Sequence, residues 1–437
     1  MIAVALRRLA GMALAAMVLT APPARAETIA YAMKPGDTLY ELGRNFLSSP
    51  GDYRIVQREN RIGDPARVRA GRVLKIRAEL LRTLPLSAEV VSARGTVWIE
   101  RAGQRGLARI GARLGEGDRL TTAAASFVTL EMSDESRISL PPSSVLRIEA
   151  LHEIVLTNAL RRRFILESGR SNIVVTPEPS RDSVFEVRTP VSVAAVRGTQ
   201  FRLANLSGAR SGLEVLEGRV GVSAAGPELV VPQDFGAVAS PNGLSSLRAL
   251  LPPPAVPGGA MRQEAPQIVF RVEPLQGARA YRLQIARDAG FVDVVAEAEG
   301  EGLDFAFGSL EDGYYFVRAS GVDADGLEGR VGAYGFERDL NAVGGAAGET
   351  VAGAKGPPRL RFRWSAGGAG MKSYRLQIAR TADFSVPLVD VPGLTDNEAT
   401  ISKPPPGAYF WRVIVTRMKN GAIQQKVGEA QSVVVGA

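Results

Sequence analysis

The chain has 437 residues with one histidine and no cysteine, so it carries few reactive side chains. A zinc site of the usual His/Cys kind cannot be assembled around His152 alone. Ser-His-Asp catalysis would have to recruit the same residue. His152 sits in Ala150-Leu151-His152-Glu153-Ile154-Val155 with no nucleophile motif beside it, and reads as a plain strand or loop residue. Carboxylate pairs remain open for glycosidase work, but nothing in their spacing selects a pair. Arg197-Gly198-Thr199 could be a ligand site; the plainer reading gives Gly198 a tight strand corner or close backbone approach. Trp364 and Trp411 could stack on a sugar, yet both fall in alternating strands, where core packing accounts for them. These residues give no catalytic group, no metal site and no cofactor, and the chain reads as a non-enzyme.

The formal charge is +8, and removal of Arg7, Arg8 and Arg25 would leave +5. That basicity suits a polyanionic cell wall and equally suits ordinary solubility. Aromatic residues are few and no basic stripe has stacking residues between its charges, so nucleic acid is not expected. Arg161-Arg162-Arg163 reads as solvated charge. Residues 1–26 have the layout of a secretory signal: Arg7 and Arg8, an apolar stretch Leu9 to Leu19, then Ala24-Arg25-Ala26 as a cleavage site. The apolar part is too short to span a bilayer, which takes roughly 20 residues. No comparable run follows, so the mature chain is expected to be periplasmic, without a transmembrane segment after signal removal. Without cysteine a lipid anchor is not expected and no disulfide forms, so each domain must hold by its own core.

The binding chemistry lies nearer the start. Tyr31-Ala32-Met33 reads as a strand, Pro35-Gly36-Asp37 as a turn, and Thr38-Leu39-Tyr40-Glu41 as a capping box. Leu39, Leu42, Phe46 and Leu47 recur at helical spacing. Tyr53 opens a second helix to about Asn60, and Arg72-Val73-Leu74-Lys75-Ile76 alternates as a returning strand. With Lys34-Pro35-Gly36-Asp37-Thr38-Leu39 at one end and Ala70-Gly71-Arg72-Val73-Leu74-Lys75-Ile76 at the other, residues 28–80 resemble a LysM domain. That resemblance implies a βααβ module binding peptidoglycan or a related N-acetylglucosamine glycan. It places Gly36, Asp37, Thr38 and Leu39 on one wall of a shallow groove and Asn60, Arg61, Ile62 and Gly63 on the other. Backbone groups would meet N-acetyl groups there, while Leu39 and Ile62 would offer apolar contact. Much of Gly36-Asp37-Thr38 is also needed to turn the chain and cap the helix. A single shallow groove binds weakly, so avidity or a further partner is expected.

From about residue 88 to 240, short alternating strands follow one another, which argues a β-sandwich or a rolled, solenoid-like barrel. Thr189-Pro190-Val191-Ser192-Val193-Ala194-Ala195-Val196-Arg197-Gly198-Thr199-Gln200-Phe201 is distinctive. With Leu114-Gly115-Glu116-Gly117-Asp118 and Glu217-Gly218-Arg219-Val220, this region resembles the FecR family of periplasmic domains. Such families include sensors that regulate extracytoplasmic-function sigma factors through a membrane helix, which this sequence does not display.

The rest repeats itself. Tyr281-Arg282-Leu283-Gln284-Ile285-Ala286-Arg287 recurs letter for letter at Tyr374-Arg375-Leu376-Gln377-Ile378-Ala379-Arg380. Gly313-Tyr314-Tyr315-Phe316-Val317-Arg318 matches Gly407-Ala408-Tyr409-Phe410-Trp411-Arg412. In each copy Tyr, Leu and Ile should face a core while Arg and Gln face water. The two copies, 263–340 and 357–437, look like fibronectin type III or immunoglobulin-like sandwiches. Residues 241–262, rich in Pro and Gly, and 341–356, rich in Gly and Ala, read as linkers.

The fold expected is therefore mainly β and multidomain: a small βααβ module, a β-rich middle domain and two C-terminal sandwiches. The function expected is a non-catalytic peptidoglycan-binding envelope protein with scaffold or partner-binding domains and a possible envelope protein partner. The alternative is a soluble envelope-signalling or sensor component; a cell-wall hydrolase comes third.

Overall fold

The computed structural model describes residues 27–436, apart from 179, 181, 207, 208, 259–261, 354, 355 and 403. The expected signal at 1–26 lies outside the described residues. The fold is mainly β, and the chain divides into two compact units. One holds the residues up to Leu84 together with Glu153–Ala159. The other holds Pro85–His152 and Leu160–Ala437.

In the first unit, β1 (Thr28–Ala32) pairs antiparallel with β2 (Val73–Arg77), in a register running from Thr28↔Arg77 to Ala32↔Val73. Between them lie α1 (Leu39–Phe46) and α2 (Tyr53–Glu59). Thr38 caps α1 by accepting from the Glu41 amide at 3.1 Å, which answers one of the free donors of a helix start. Gly43 lets the α1 backbone close on the next turn: a Cβ there would lie 2.6 Å from the Pro50 carbonyl oxygen. Leu39, Leu42, Leu47, Val56, Leu74 and Ile76 form the core. Ile154 and Leu156 complete it from a segment far along the chain, and the Val155 amide bonds the Arg82 carbonyl at 3.1 Å. No local periodicity announces such a distant contribution.

In the second unit, the central domain is a pair of sheets with a common core. One sheet carries Ala88–Arg94, Phe127–Met132, Arg137–Leu140, Arg170–Val174, Gln200–Leu206, Arg210–Glu217 and Phe235–Ser240. The other carries Val97–Arg101, Gln104–Leu107, Arg119–Thr122, Val145–Ile154, Ala159–Ser168, Val184–Arg188, Val193–Val196, Arg219–Ser223 and Leu229–Pro232. The chain moves back and forth between the sheets, so Val90, Leu130, Ile138, Phe201 and Val215 from one meet Leu120, Leu146, Phe164, Val187 and Val220 from the other. Burial alternates along Arg119–Thr122, Arg137–Leu140 and Val184–Arg188, as a half-covered strand requires. Gly198 has φ +63°, and a Cβ there would stand 2.9 Å from the Pro177 ring. It serves close backbone approach.

Each C-terminal repeat folds as packed sheets. The first pairs Ile268–Arg271 with Asp304–Phe307, beside a sheet of Ala280–Ala286, Val294–Gly300, Gly313–Val322 and Gly332–Arg338. The second sets Gly356–Ala366 and Glu398–Ser402 beside Met371–Ala379, Val389–Leu394, Gly407–Lys419, Ala422–Val427 and Gln431–Val435. Tyr315 and Tyr409 each donate from the hydroxyl to a backbone carbonyl four residues back, Glu311 at 3.0 Å and Pro405 at 2.6 Å. Such a corner recurs in immunoglobulin-like sandwiches. Trp364 and Trp411 are buried in the second core.

Four expectations need correction. Arg161-Arg162-Arg163 is not solvated charge throughout: Arg161 and Arg162 are buried, Arg162 paired with Asp134 and Arg161 bonded to the Leu160 carbonyl. Residues 341–356 are not a free linker: Val343–Gly353 is a strand paired to Gly356–Ala366. Its glycines are used for packing, since a Cβ on Gly348 would press on the Phe362 ring at 3.1 Å. The 241–262 stretch is a strap as far as it is described. Leu250 is buried and its amide bonds Asp234, while the Leu251 and Ala255 carbonyls accept from Arg330 and Glu273. Finally, Arg282, Gln284 and Gln377 do not face water but are buried. The alternation is correct, but the outer face of the sheet is itself covered at those points.

Candidate functional site

The residues expected to line a groove do gather, as two loops joined by a hydrogen bond from the Leu39 amide to the Pro65 carbonyl at 3.0 Å. On the first loop, Gly36 takes φ +93° and faces open space. The Asp37 carboxylate accepts from the Tyr31 hydroxyl at 2.8 Å and the Lys34 amide at 2.7 Å. Burial, followed by that bond to Asp37, pushes the Tyr31 hydroxyl up to about 12. Asp37 and Thr38 thus hold the turn and the helix cap.

On the second loop, Asn60 is a stitch between α2 and β2. Its amide donates to the Val56 and Lys75 carbonyls, both at 2.9 Å, and its oxygen accepts from the Lys75 amide at 2.7 Å. Arg61 has φ +52°, the left-handed turn that ends a helix. Gln57 donates to the Ile62 carbonyl at 3.1 Å and the Gly63 carbonyl at 3.3 Å, and Gly63 faces open space.

The apolar contribution differs from expectation. Leu39 and Ile62 are buried in the core of the module, so their side chains have no face for a sugar. The LysM resemblance places both on the groove walls, but the core of the module takes their side chains inward. The aromatic surface is elsewhere: Tyr40 is half exposed, its ring 4.8 Å from that of Tyr53. Arg54 donates to the Tyr53 hydroxyl at 3.4 Å. The Tyr40 hydroxyl is raised by desolvation, then by Tyr53 and by Asp64 on the second loop. The capping box drew attention to Thr38 and Glu41 and hid the tyrosine between them.

A second cluster, unread from the sequence, joins the central domain to the first repeat. Arg202 donates to Glu328 Oε1 at 2.7 Å and to the Glu328 and Gly329 carbonyls at 2.5 and 2.6 Å. Ser320 donates to the same Oε1 at 2.7 Å, and Arg282 stands 3.6 Å from Oε2. Glu214 accepts from the Glu328 amide at 3.1 Å and lies 3.7 Å from the Arg202 guanidinium. Burial would raise Glu328, but Arg202 and Arg282 hold it down at about 2. Burial pushes Glu214 up to about 7 against the pull of Arg202.

Farther across the same sheet, Arg94 grips Asp293 with two bonds of 2.9 Å, and Ser92 adds a third at 3.1 Å. Phe127 of the central domain packs on Ala286, Phe291 and Val294 of the repeat. The repeat itself supplies a control. Arg282 and Arg375 hold the same place in the seven-residue phrase, yet their side chains are 6% and 49% exposed. Only the first copy is covered.

Elsewhere, His152 meets Glu116 at 3.0 Å. Among the described residues no group of His, Cys, Asp or Glu could hold a metal ion, and no helix is long and apolar enough to cross a membrane.

Against this geometry, the sequence profile of the family "FecR protein" matches residues 118–221. Residues 118–221, within the central domain, are a FecR-family segment. Curated proteins give no match. Among solved structures, one described as a candidate anti-sigma factor from Parabacteroides distasonis aligns at 17% identity and TM-score 0.26, covering 30% of this chain and 59% of that one. A second structure of that description gives 16% and 0.25 over the same shares. The chain thus spans about three-fifths of the length of these structures. The FN1-FN3 domains of chicken CNTN1 align at 8% and TM-score 0.20, covering 54% of this chain and 97% of that one. The FecR match begins at Asp118, the carboxylate that accepts the Gly115 amide at 2.8 Å and clamps Arg101 at 2.6 Å.

Proposed function

We propose that the chain is a non-catalytic component of envelope signalling, in which the FecR domain and the first repeat together present one body to a protein partner. The FecR match supports the signalling class, and the Arg202–Glu328 bond at the centre of a buried charge cluster supports the single body. Inter-domain contacts within a chain are ordinarily mobile unless large and well packed, and this one buries charge that is stable only while it is paired. The periplasm is the compartment proposed, by the export signal read at 1–26 and by the family. No cofactor or metal enters the reading.

A second reading gives the βααβ module a glycan. It is favoured by Gly36 and Gly63 facing open space on loops tied by the Leu39–Pro65 bond, and by the half-exposed Tyr40 ring packed on Tyr53. Under that reading the LysM-like module tethers the chain to peptidoglycan, while the FecR domain meets its partner.

The test is photocrosslinking in intact cells from exposed positions of the FecR domain, paired with transcript profiling after deletion of the gene. Crosslinks to a regulator of a sigma factor, with a matching change in its regulon, support the proposal. An unchanged transcript profile together with peptidoglycan retention would leave only the anchoring role.

A further inference from the structure

The sheet that holds Val97–Arg101 ends at Gln104–Leu107, and among the described residues no strand covers the far side of that edge. The two strands turn at Ala102 and Gly103, with φ +47° and +79°, in a register from Arg101↔Gln104 to Trp98↔Leu107. Two positive angles suit the tight hairpin turn whose twist matches its strands. The Ala108 amide donates to the Val97 carbonyl at 2.9 Å. By the alternation of an antiparallel ladder, the amides and carbonyls of Arg105 and Leu107 therefore point outward. Beside them lies an open groove of about 640 Å³, lined by Ile99 and Ala112 from the fringe of the central core. Gly106 lines it too and leaves it clear, since a Cβ there would meet nothing within 4 Å.

The charge along this edge has one sign. Arg101, Arg105, Arg109 and Arg113 fall at every fourth residue, with no Asp or Glu between the first and the last. Asp118 answers Arg101 at 2.6 Å, and Glu89 stands 3.6 Å from Arg113. Among the described residues, Arg105 and Arg109 pair with no carboxylate. Arg105 lies 4.5 Å from the centre of the Trp98 ring, a contact that orients a guanidinium without cancelling its charge. Between these cations, Leu107 and Ile110 are 57% and 69% exposed.

Given the protein-partner role proposed above, on which this rests, the geometry points to the Gln104–Leu107 edge as a strand-addition site for an acidic, extended segment of that partner. The segment's backbone pairs with the outward groups of Arg105 and Leu107. Successive side chains of an added strand face opposite ways, so apolar ones enter the groove beside Ile99 and Gly106 while acidic ones meet Arg105 on the other face. A second copy of this edge is repelled, because a two-fold contact sets Arg105 and Arg109 near their own like charge. A phosphate polymer would meet the guanidiniums but leave the row of amides and carbonyls unpaired. Charge alone suffices to guard an edge against pairing, whereas this edge also keeps an open groove and exposed apolar residues.

The experiment is fluorescence anisotropy on the full mature chain with a labelled peptide that alternates glutamate and valine. Wild type should bind it, and less tightly as salt rises. Arg105→Glu combined with Arg109→Glu should weaken binding by at least about tenfold with an unchanged circular dichroism spectrum. Leu107→Pro removes one outward amide, a change an edge strand tolerates, and should weaken binding by a similar factor. Arg105→Ala with Arg109→Ala gives the same reading should the charge reversal disturb folding. A wild-type chain that does not bind the peptide at high micromolar concentration overturns the inference and leaves the arginines as an edge guard. Binding lost in the charge variant but kept in Leu107→Pro reports a polyanion surface and overturns it as well. Transcripts that respond to gene deletion but not to R105E/R109E keep the signalling role and remove this edge from it. Peptide binding alongside transcripts that ignore the deletion removes the signalling role and keeps the site.

Discussion

Arg202 reaches across 126 residues of sequence to place its guanidinium 2.7 Å from Glu328 Oε1. Neither side chain has water to fall back on, since both are buried. Arg282 and Ser320 complete the carboxylate's shell. A pair of this kind adds little net stability over apolar packing, but losing one partner strands the other charge.

Arg202→Met should therefore cost about 3–5 kcal/mol in the transition that unfolds the FecR domain. It should also separate that transition from the unfolding of the first repeat, which differential scanning calorimetry reads as one peak becoming two. Arg375→Met, at the exposed position of the second repeat that matches the buried Arg282, should change stability by less than about 1 kcal/mol.

The two carboxylates of the cluster oppose each other in pH. Glu328 is depressed to about 2, so the stability it adds is present above its ordinary 4.5 and is lost as pH falls toward 2. Glu214 is raised to about 7, so the stability linked to its protonated form is present below 4.5 and is lost as pH rises through 7. Glu214→Gln should match wild type near pH 5 and exceed it at pH 8, by on the order of 1–3 kcal/mol. Denaturant midpoints at the two pH values check the crossover.

The smaller unit makes a cleaner division between fold and ligand. Asn60→Ala removes three side-chain bonds and should destabilise the module by about 1–3 kcal/mol. Tyr40→Ala removes only a half-exposed ring. It should leave the melting temperature unchanged while weakening cosedimentation with insoluble peptidoglycan. Equal retention of wild type and Y40A would move glycan contact away from that ring.

Gly198→Ala tests the corner in the FecR domain. The position needs φ +63° and has no room on the Pro177 side, so the variant should lose about 1–3 kcal/mol. Chemical denaturation of the full chain measures it.

The sequence disclosed the parts that depend on neighbours in the chain. The Thr38 cap, the alternation of Phe185-Glu186-Val187-Arg188 and the twin phrases at Tyr281 and Tyr374 each follow from local spacing. Contacts made at a distance stayed hidden. Ile154 gives no sign that it closes the core of a module ending seventy residues earlier, and Arg282 reads like Arg375 until a domain is laid over it. Leu39 departs from the groove role that the LysM resemblance implies, because its place in the helical stripe sends the side chain inward. The Gly-rich 341–356 stretch misled through composition, since glycine also makes room for a ring such as Phe362.

The central claim is that the FecR domain and the first repeat are one body, and the absence of native cysteine makes it directly measurable. Arg109 and Glu301 are exposed on the two parts. Spin labels at Arg109→Cys and Glu301→Cys in the full chain should give a single narrow distance distribution by double electron–electron resonance, and Arg202→Met should broaden it. A broad or multi-peaked distribution in the chain with Arg202 intact would contradict the account.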